Sequence, residues 1–384
     1  MTSRHSCHHF KILYSAQVSG DGQWIFFATQ SANAQYGNIT GVAADGEVKL
    51  KAIRMDGKGL QTLYCGKNIG NFVWSPDGRQ VAFFQTDGNS PQTAIANPGS
   101  PAATGGIYVL NTDNTSIHVT YTYKFDSNNI SSSNDNYYSP LFWADSTRLA
   151  VIQNEVAFAS PVPPHNVYLL DTTQQQIAQD NRQPRQIVDE RSLFCWSYAL
   201  APDMQTLYHS QCPDTQGGII SPGVSLLVAH PFKGGSPETV LKEAYPPFPS
   251  LLIGQIIAVT DTSIVFEAAQ ATGLSQGNMV KSSPTGTWRV NRDGTGLKEI
   301  LPRQSSAYYL QASLPTETMP WDRVSRDSRW FVSTVGTLSS DGTMTTQTLQ
   351  IMSTQDGSTV HKLATYQQIN TTQAPLGIIG WTRI

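Results

Sequence analysis

Short apolar runs rich in β-branched and aromatic residues alternate along this chain with tight polar turns, and one such unit returns six times. It reads AQVSGDGQWIFF from Ala16, FVWSPDGRQVAFF from Phe72, LFWADSTRLAVI from Leu141, YALAPDMQTLYHS from Tyr198, IAVTDTSIVFEA from Ile257 and RVSRDSRWFVSTV from Arg323. The turn aspartates Asp21, Asp77, Asp145, Asp203, Asp261 and Asp327 follow one another at separations of 56, 68, 58, 58 and 66 residues by subtraction. A period this long is the mark of a repeat architecture. The turn chemistry is physical: Asp and Ser side chains cap the turn, Pro presets one dihedral and Gly accepts positive φ. The flanking runs have the composition of half-buried strands.

A second hairpin follows in each copy, beginning at Lys51, Gly106, Asn166, Val224, Thr287 and Thr348. Each is a strand, a polar Asp/Asn/Gly turn and another strand. Four strands per copy is the content of a propeller blade, and no long helical periodicity lies between copies. The repeat resembles the TolB-like propeller repeat, also found in the propeller domains of prolyl dipeptidyl peptidases. Trp74-Ser75-Pro76-Asp77-Gly78, then Val81-Ala82-Phe83 and Ile107-Tyr108-Val109-Leu110, carry the resemblance. The fourth and fifth copies are degenerate, and a β-sandwich array with similar turns is the competing architecture.

The expectation is therefore an all-β chain, a β-propeller of four-stranded antiparallel blades. Residues 1–9 are read as a disordered or vector-derived tail and residues 10–384 as one propeller domain. Blades are placed at about 10–66, 67–126, 127–190, 191–245, 246–305 and 306–370. LGIIGWTRI looks like a first strand, so residues 376–384 are expected to close a six-bladed ring, with seven blades as the alternative. Closure matters because an open sheet edge invites aggregation.

Four cysteines are too few for a disulfide framework in 384 residues. Extending the antiparallel register of the second copy to the fourth, however, sets Cys195 opposite Cys212, both with index sum 407. They are a candidate disulfide in an oxidising compartment and two buried thiols otherwise. Cys7 stands beside His5, His8 and His9 in the tail.

In a four-stranded meander the first–second and third–fourth turns share one end of the blade, and the second–third and fourth–first connections share the other. The short turns all fall in the first group. Long connections, roughly 30–48, 86–105, 154–165, 213–223, 269–285 and 336–345, fall in the second, with 122–138 and 302–318 beside them. Loops held by a rigid scaffold carry function, so the loop-rich end is the expected binding surface. Tyr137, Tyr138, Tyr308, Tyr309 and Trp321 are its candidate aromatic anchors, with Arg303 and Lys124 as polar contacts.

Composition narrows the partner. Hydrophobic residues make up 39% and charged residues 14%, below the roughly 25% usual for soluble domains. A net charge of −3 provides no basic face for nucleic acid, and no apolar stretch is long enough to span a bilayer. The charge-poor, Thr- and Gln-rich surface points to an extracytoplasmic protein whose leader is not in the chain, with the cytoplasm as the alternative. No GxSxG elbow, HExxH pair or SxDxGxxW box is present. His165 and His230 should lie toward opposite ends of their blades. No cofactor or metal is expected. The first reading is a monomeric, non-catalytic binding or scaffolding propeller for a protein or glycan. The alternatives are a carbohydrate-active enzyme with a site at the channel mouth and a regulatory module of a larger chain.

Overall fold

The computed structural model describes residues 12–30, 47–86, 103–125, 136–155, 166–173, 176–177, 185–188, 197–211, 226–241, 251–274, 280–302, 307–309, 319–338, 344–367 and 379–382. Six antiparallel sheets succeed one another, the arrangement of a six-bladed β-propeller. Blade 1 holds β1 (Ile12–Val18), β2 (Trp24–Gln30), β3 (Glu47–Arg54) and β4 (Gln61–Lys67). Blade 2 holds β5 (Ile69–Trp74), β6 (Gln80–Thr86), β7 (Ala103–Asn111) and β8 (Ile117–Phe125). Blade 3 holds β9 (Asn136–Trp143), β10 (Arg148–Glu155), β11 (Val167–Asp171) and, after the short β12 (Gln176–Ile177), β13 (Arg185–Val188).

Blade 4 holds β14 (Tyr198–Leu200), β15 (Thr206–Gln211), β16 (Leu226–Pro231) and β17 (Glu238–Leu241). Blade 5 holds β18 (Leu251–Val259), β19 (Ser263–Leu274), β20 (Val280–Asn291) and β21 (Lys298–Pro302). Blade 6 holds β22 (Ala307–Tyr309), β23 (Trp330–Leu338), β24 (Met344–Ser353) and β25 (Thr359–Gln367), with a single helical turn, α1 (Pro320–Arg323), between its first two strands. The chain divides into two compact units, blades 1–3 and blades 4–6.

The repeated turn is the same device in three blades. Ser19, Ser75 and Ser325 donate through Oγ to Asp21, Asp77 and Asp327 at 2.5, 2.6 and 2.6 Å. Each serine Oγ then accepts the N–H five residues on, from Trp24, Gln80 and Trp330. Each aspartate accepts the N–H two residues on, from Gln23, Arg79 and Arg329. In the degenerate fifth copy Thr260 takes this part, accepting from Ser263 N–H at 2.8 Å. Such local bonds satisfy turn backbone that no ladder reaches.

A main-chain bond in every blade ties the two tight turns together. Met55, Thr112, Thr172, Phe232, Arg292 and Thr354 donate their N–H groups to the carbonyls of Gln23, Arg79, Thr147, Gln205, Thr262 and Arg329 at 2.8–3.0 Å. Both short turns of five blades therefore sit at one end, as do the first turn of blade 3 and the residues that leave its β11.

The core lies between neighbouring sheets. Phe26 of blade 1 meets Phe72 and Trp74 of blade 2 edge-on at 5.1 and 4.8 Å. Trp143, Leu149 and Val151 of blade 3 are buried with Val73, Ile107 and Val109 of blade 2. In the second unit, Leu227 of blade 4 packs with Phe266 and Trp288 of blade 5. Polar side chains bridge the first strands: Gln17 Nε2 donates to Phe72 O at 3.2 Å and Gln17 Oε1 accepts from Trp74 N–H at 3.1 Å. Trp143 Nε1 donates to Val73 O at 3.1 Å. The main chain of Ile256 is gripped from both sides, its N–H donating to Ser197 Oγ at 2.7 Å and its carbonyl accepting from Arg323 at 2.6 Å. Gln17 and Arg323 both stand four residues before their turn aspartates, so the two bridges use one repeat position.

Four details depart from the sequence reading. The polar run after Asp171 is not the fourth strand of blade 3: β12 pairs in parallel with β8, adding a fifth strand to blade 2, and β13 completes blade 3. The stretch 269–285 is largely a two-stranded ribbon. β18 accompanies β19 only as far as Leu251↔Gln270, while β19 and β20 stay paired to Leu274↔Val280. In blade 6 the β22 pairs share index sum 644, yet Val324 bridges Phe331 with sum 655, so eleven residues are inserted into the first strand. That excursion carries α1. Residues 379–382 form no strand, and Trp381 N–H donates to Trp321 O at 2.8 Å.

Candidate functional site

Because the tight turns share one end of each blade, the second–third connections leave from the other. Lys124 lies there, near the end of β8 opposite Thr104. Tyr137 and Tyr138 begin β9 opposite Asn154 and Gln153. Tyr308 and Tyr309 lie opposite Gly336 and Val335, within a strand and not in a loop. Arg303, Cys195 and Cys212 fall outside the described residues, as does His165. Among the described residues, the strands of blade 5 reach farthest at this end, through the ribbon of β19 and β20 past Gln270.

Two of the expected contacts are buried. Tyr138 is 5% exposed and meets Tyr121 of blade 2 at 5.1 Å and Tyr168 of its own blade at 5.2 Å, both edge-on. Burial first, and Tyr168 second, push its hydroxyl up to about 12, so it stays neutral. Tyr168 donates to Gln153 Oε1 at 2.9 Å, and Asn166 Nδ2 donates to the same oxygen at 3.3 Å. An aromatic and amide cluster thus seals blades 2 and 3 near their loop end.

Trp321 is 8% exposed, on α1. The Arg326 guanidinium stacks over its ring at 4.7 Å and donates to Trp381 O at 3.4 Å. Beside it, Asp322 is 3% exposed, and its Oδ2 accepts from Met319 N–H at 2.7 Å. Burial pushes the Asp322 carboxyl up to about 8, against the pull of Met319 N–H, Arg323 and Arg326. A carboxyl that keeps its proton at neutral pH can donate as well as accept. Its Oδ1 and Trp381 Nε1 are buried with no hydrogen-bond partner among the described residues. Sequence reading missed this group. The signal was there: a WDR run precedes Val324 where the second copy has apolar Phe72 and Val73.

Two histidines also meet unannounced. His209 stacks on Tyr198 at 4.8 Å and lies 5.8 Å from His230, inside blade 4. Among the described residues, no group of three or more His, Cys, Asp or Glu side chains could hold a metal ion, and no helix is long and apolar enough to cross a membrane.

Glu267 on β19 faces the irregular stretch of β18, where a Cβ on Gly254 would touch Glu267 main chain and side chain at 3.3 and 3.6 Å. Burial pushes its carboxyl from 4.5 up to about 7. The raised acid is neutral and harmless below the unfolded value. It costs stability progressively as pH climbs from about 4.5 to 7, and by a constant amount above. Glu267→Gln should melt with the parent at pH 4 and above it at pH 8, by on the order of 2 kcal/mol after allowance for partial exposure. Equal melting temperatures at both pH values would remove Glu267 as the cause.

No protein-family model matches the chain. No curated protein matches it by sequence. Solved structures do. A prolyl endopeptidase superposes with TM-score 0.54 at 12% identity, over 96% of this chain and 44% of that one. The acylaminoacyl peptidase of Pyrococcus horikoshii gives 0.51 at 12% identity, over 92% and 45%. A putative TolB from Agrobacterium tumefaciens gives 0.40 at 14% identity, over 83% and 90%. The chain spans less than half the length of the two peptidases it matches. The class is settled at the level of fold: a six-bladed β-propeller, a fold that superposes on part of each of these two peptidases.

Proposed function

We propose that this chain is a non-catalytic binding propeller, extracytoplasmic, that takes a protein or glycan at the blade ends opposite the paired turns. The observation that carries the reading is the six-fold main-chain tie between the two tight turns. Together with the Ser–Asp bonds it spends the polar groups of one end on the fold itself and leaves the long connections to the other. The blade-5 ribbon is the foremost contact element. Lys124, Tyr137, Tyr308, Tyr309 and Arg303 contribute from their own blades and buried Tyr138 holds that end in shape, whereas Trp321 packs under Arg326 of the tight turn of blade 6.

Amine-reactive crosslinking of the purified protein with a native extract, followed by peptide mapping, tests this. Lys281, on the ribbon, and Lys124 should carry the partner crosslinks. Lys58, Lys233 and Lys298, at the tight-turn end, should not. Adducts concentrated on the latter three would overturn the assignment of the binding end.

A further inference from the structure

We propose that the chain carries two disulfides, Cys195–Cys212 inside blade 4 and Cys7–Cys65 fastening the N-terminal segment to β4 of blade 1. Cys65, opposite Lys49 on that strand, is disulfide-bonded. The sequence holds four cysteines, so its partner is Cys7, Cys195 or Cys212. The register of blade 4 decides among them. Tyr198↔His209, Ala199↔Tyr208 and Leu200↔Leu207 each have index sum 407. The Ser210 N–H to Ser197 O bond, 3.1 Å, and the Ala201 N–H to Thr206 O bond, 2.9 Å, have the same sum at either end. The register therefore runs unbroken to Ser197, two residues short of Cys195, and 195 and 212 also add to 407.

Facing residues of an antiparallel pair project from one side of the sheet. Hydrogen-bonded and non-hydrogen-bonded pairs alternate. Ser197/Ser210 and Ala201/Thr206 belong to the hydrogen-bonded set, and the same register carried two residues beyond Ser197 would make Cys195/Cys212 the next member outward. Such pairs have Cα atoms about 5.5 Å apart, within the usual disulfide spacing. With those two sulfurs joined to each other, Cys7 is left for Cys65. Each bond forms as two thiols lose two protons and two electrons. The acceptor is an incoming disulfide, of oxidised glutathione or a dithiol oxidase, which leaves as two thiols. An oxidising compartment supplies it.

Peptide mapping without reduction tests the pairing and needs no ligand, so it stands or falls apart from the binding reading. Protein isolated in N-ethylmaleimide should yield linked peptides Cys7–Cys65 and Cys195–Cys212. In Cys7→Ser, one thiol per chain should titrate, at Cys65, with Cys195–Cys212 intact. A Cys65 peptide linked to Cys195 or Cys212, or alkylated Cys195 and Cys212 in the parent protein, overturns the proposal.

Discussion

Trp143→Ala should lower the unfolding free energy by about 4 kcal/mol, the range for deleting a large buried aromatic. Trp143 is fully buried on β9, among Val73, Leu149, Val151 and Leu170. Its indole fills the space between blades 2 and 3, and its Nε1–H satisfies Val73 O at 3.1 Å. Alanine opens a cavity that two sheets held by their own ladders cannot collapse into, and it strips a buried carbonyl of its donor. Trp143→Phe keeps most of the volume and loses chiefly the hydrogen bond, so about 1–2 kcal/mol is expected. Urea titration of both variants measures the difference. A Trp143→Ala midpoint within error of the Phe variant would show that the junction repacks freely.

The second large effect is expected at Gly294→Ala. Gly294 ends the Asp293–Gly294 turn of blade 5 at φ +82, and a Cβ there would overlap the Val240 carbonyl on β17 of blade 4. Gly57 is the matched control: it occupies the same turn position in blade 1 at φ +77, and a Cβ would find nothing within 4 Å among the described residues. Both alanines carry the left-handed backbone cost, about 1 kcal/mol. Only Gly294→Ala must also push a neighbouring strand aside, so a loss of about 3 kcal/mol is expected there. Gly357 repeats the arrangement in blade 6, its Cβ meeting Ile300 O at 2.6 Å. Thermal unfolding of the Gly57 and Gly294 variants separates the two contributions. Equal losses would mean that the turn of blade 5 does not bear on blade 4.

The six turns were legible in the sequence because their chemistry is local: Ser, Asp and Gly act on backbone within five residues. The blade-4 register was legible too, since no bulge interrupts the pairing from Tyr198 to Leu200, unlike the first hairpins of blades 1, 2, 3 and 5. What escaped depends on distant neighbours. Nothing in ATGLSQGNMVKSS announces a ribbon, because small and polar residues pair only where adjoining strands already align them. The parallel addition of Gln176–Ile177 to blade 2 likewise follows from where β11 delivers the chain. The inserted first strand of blade 6 hid behind an intact RVSRDSRW turn.

The bond that latches the two corners of every blade has a consequence for how these repeats can diverge. Met, Thr, Thr, Phe, Arg and Thr occupy its donor position, and the amide they offer is the same in each. Drift at that site therefore costs the latch nothing, which lets the copies grow dissimilar while their corners stay clasped. Proline is the exception, since it alone brings no amide hydrogen.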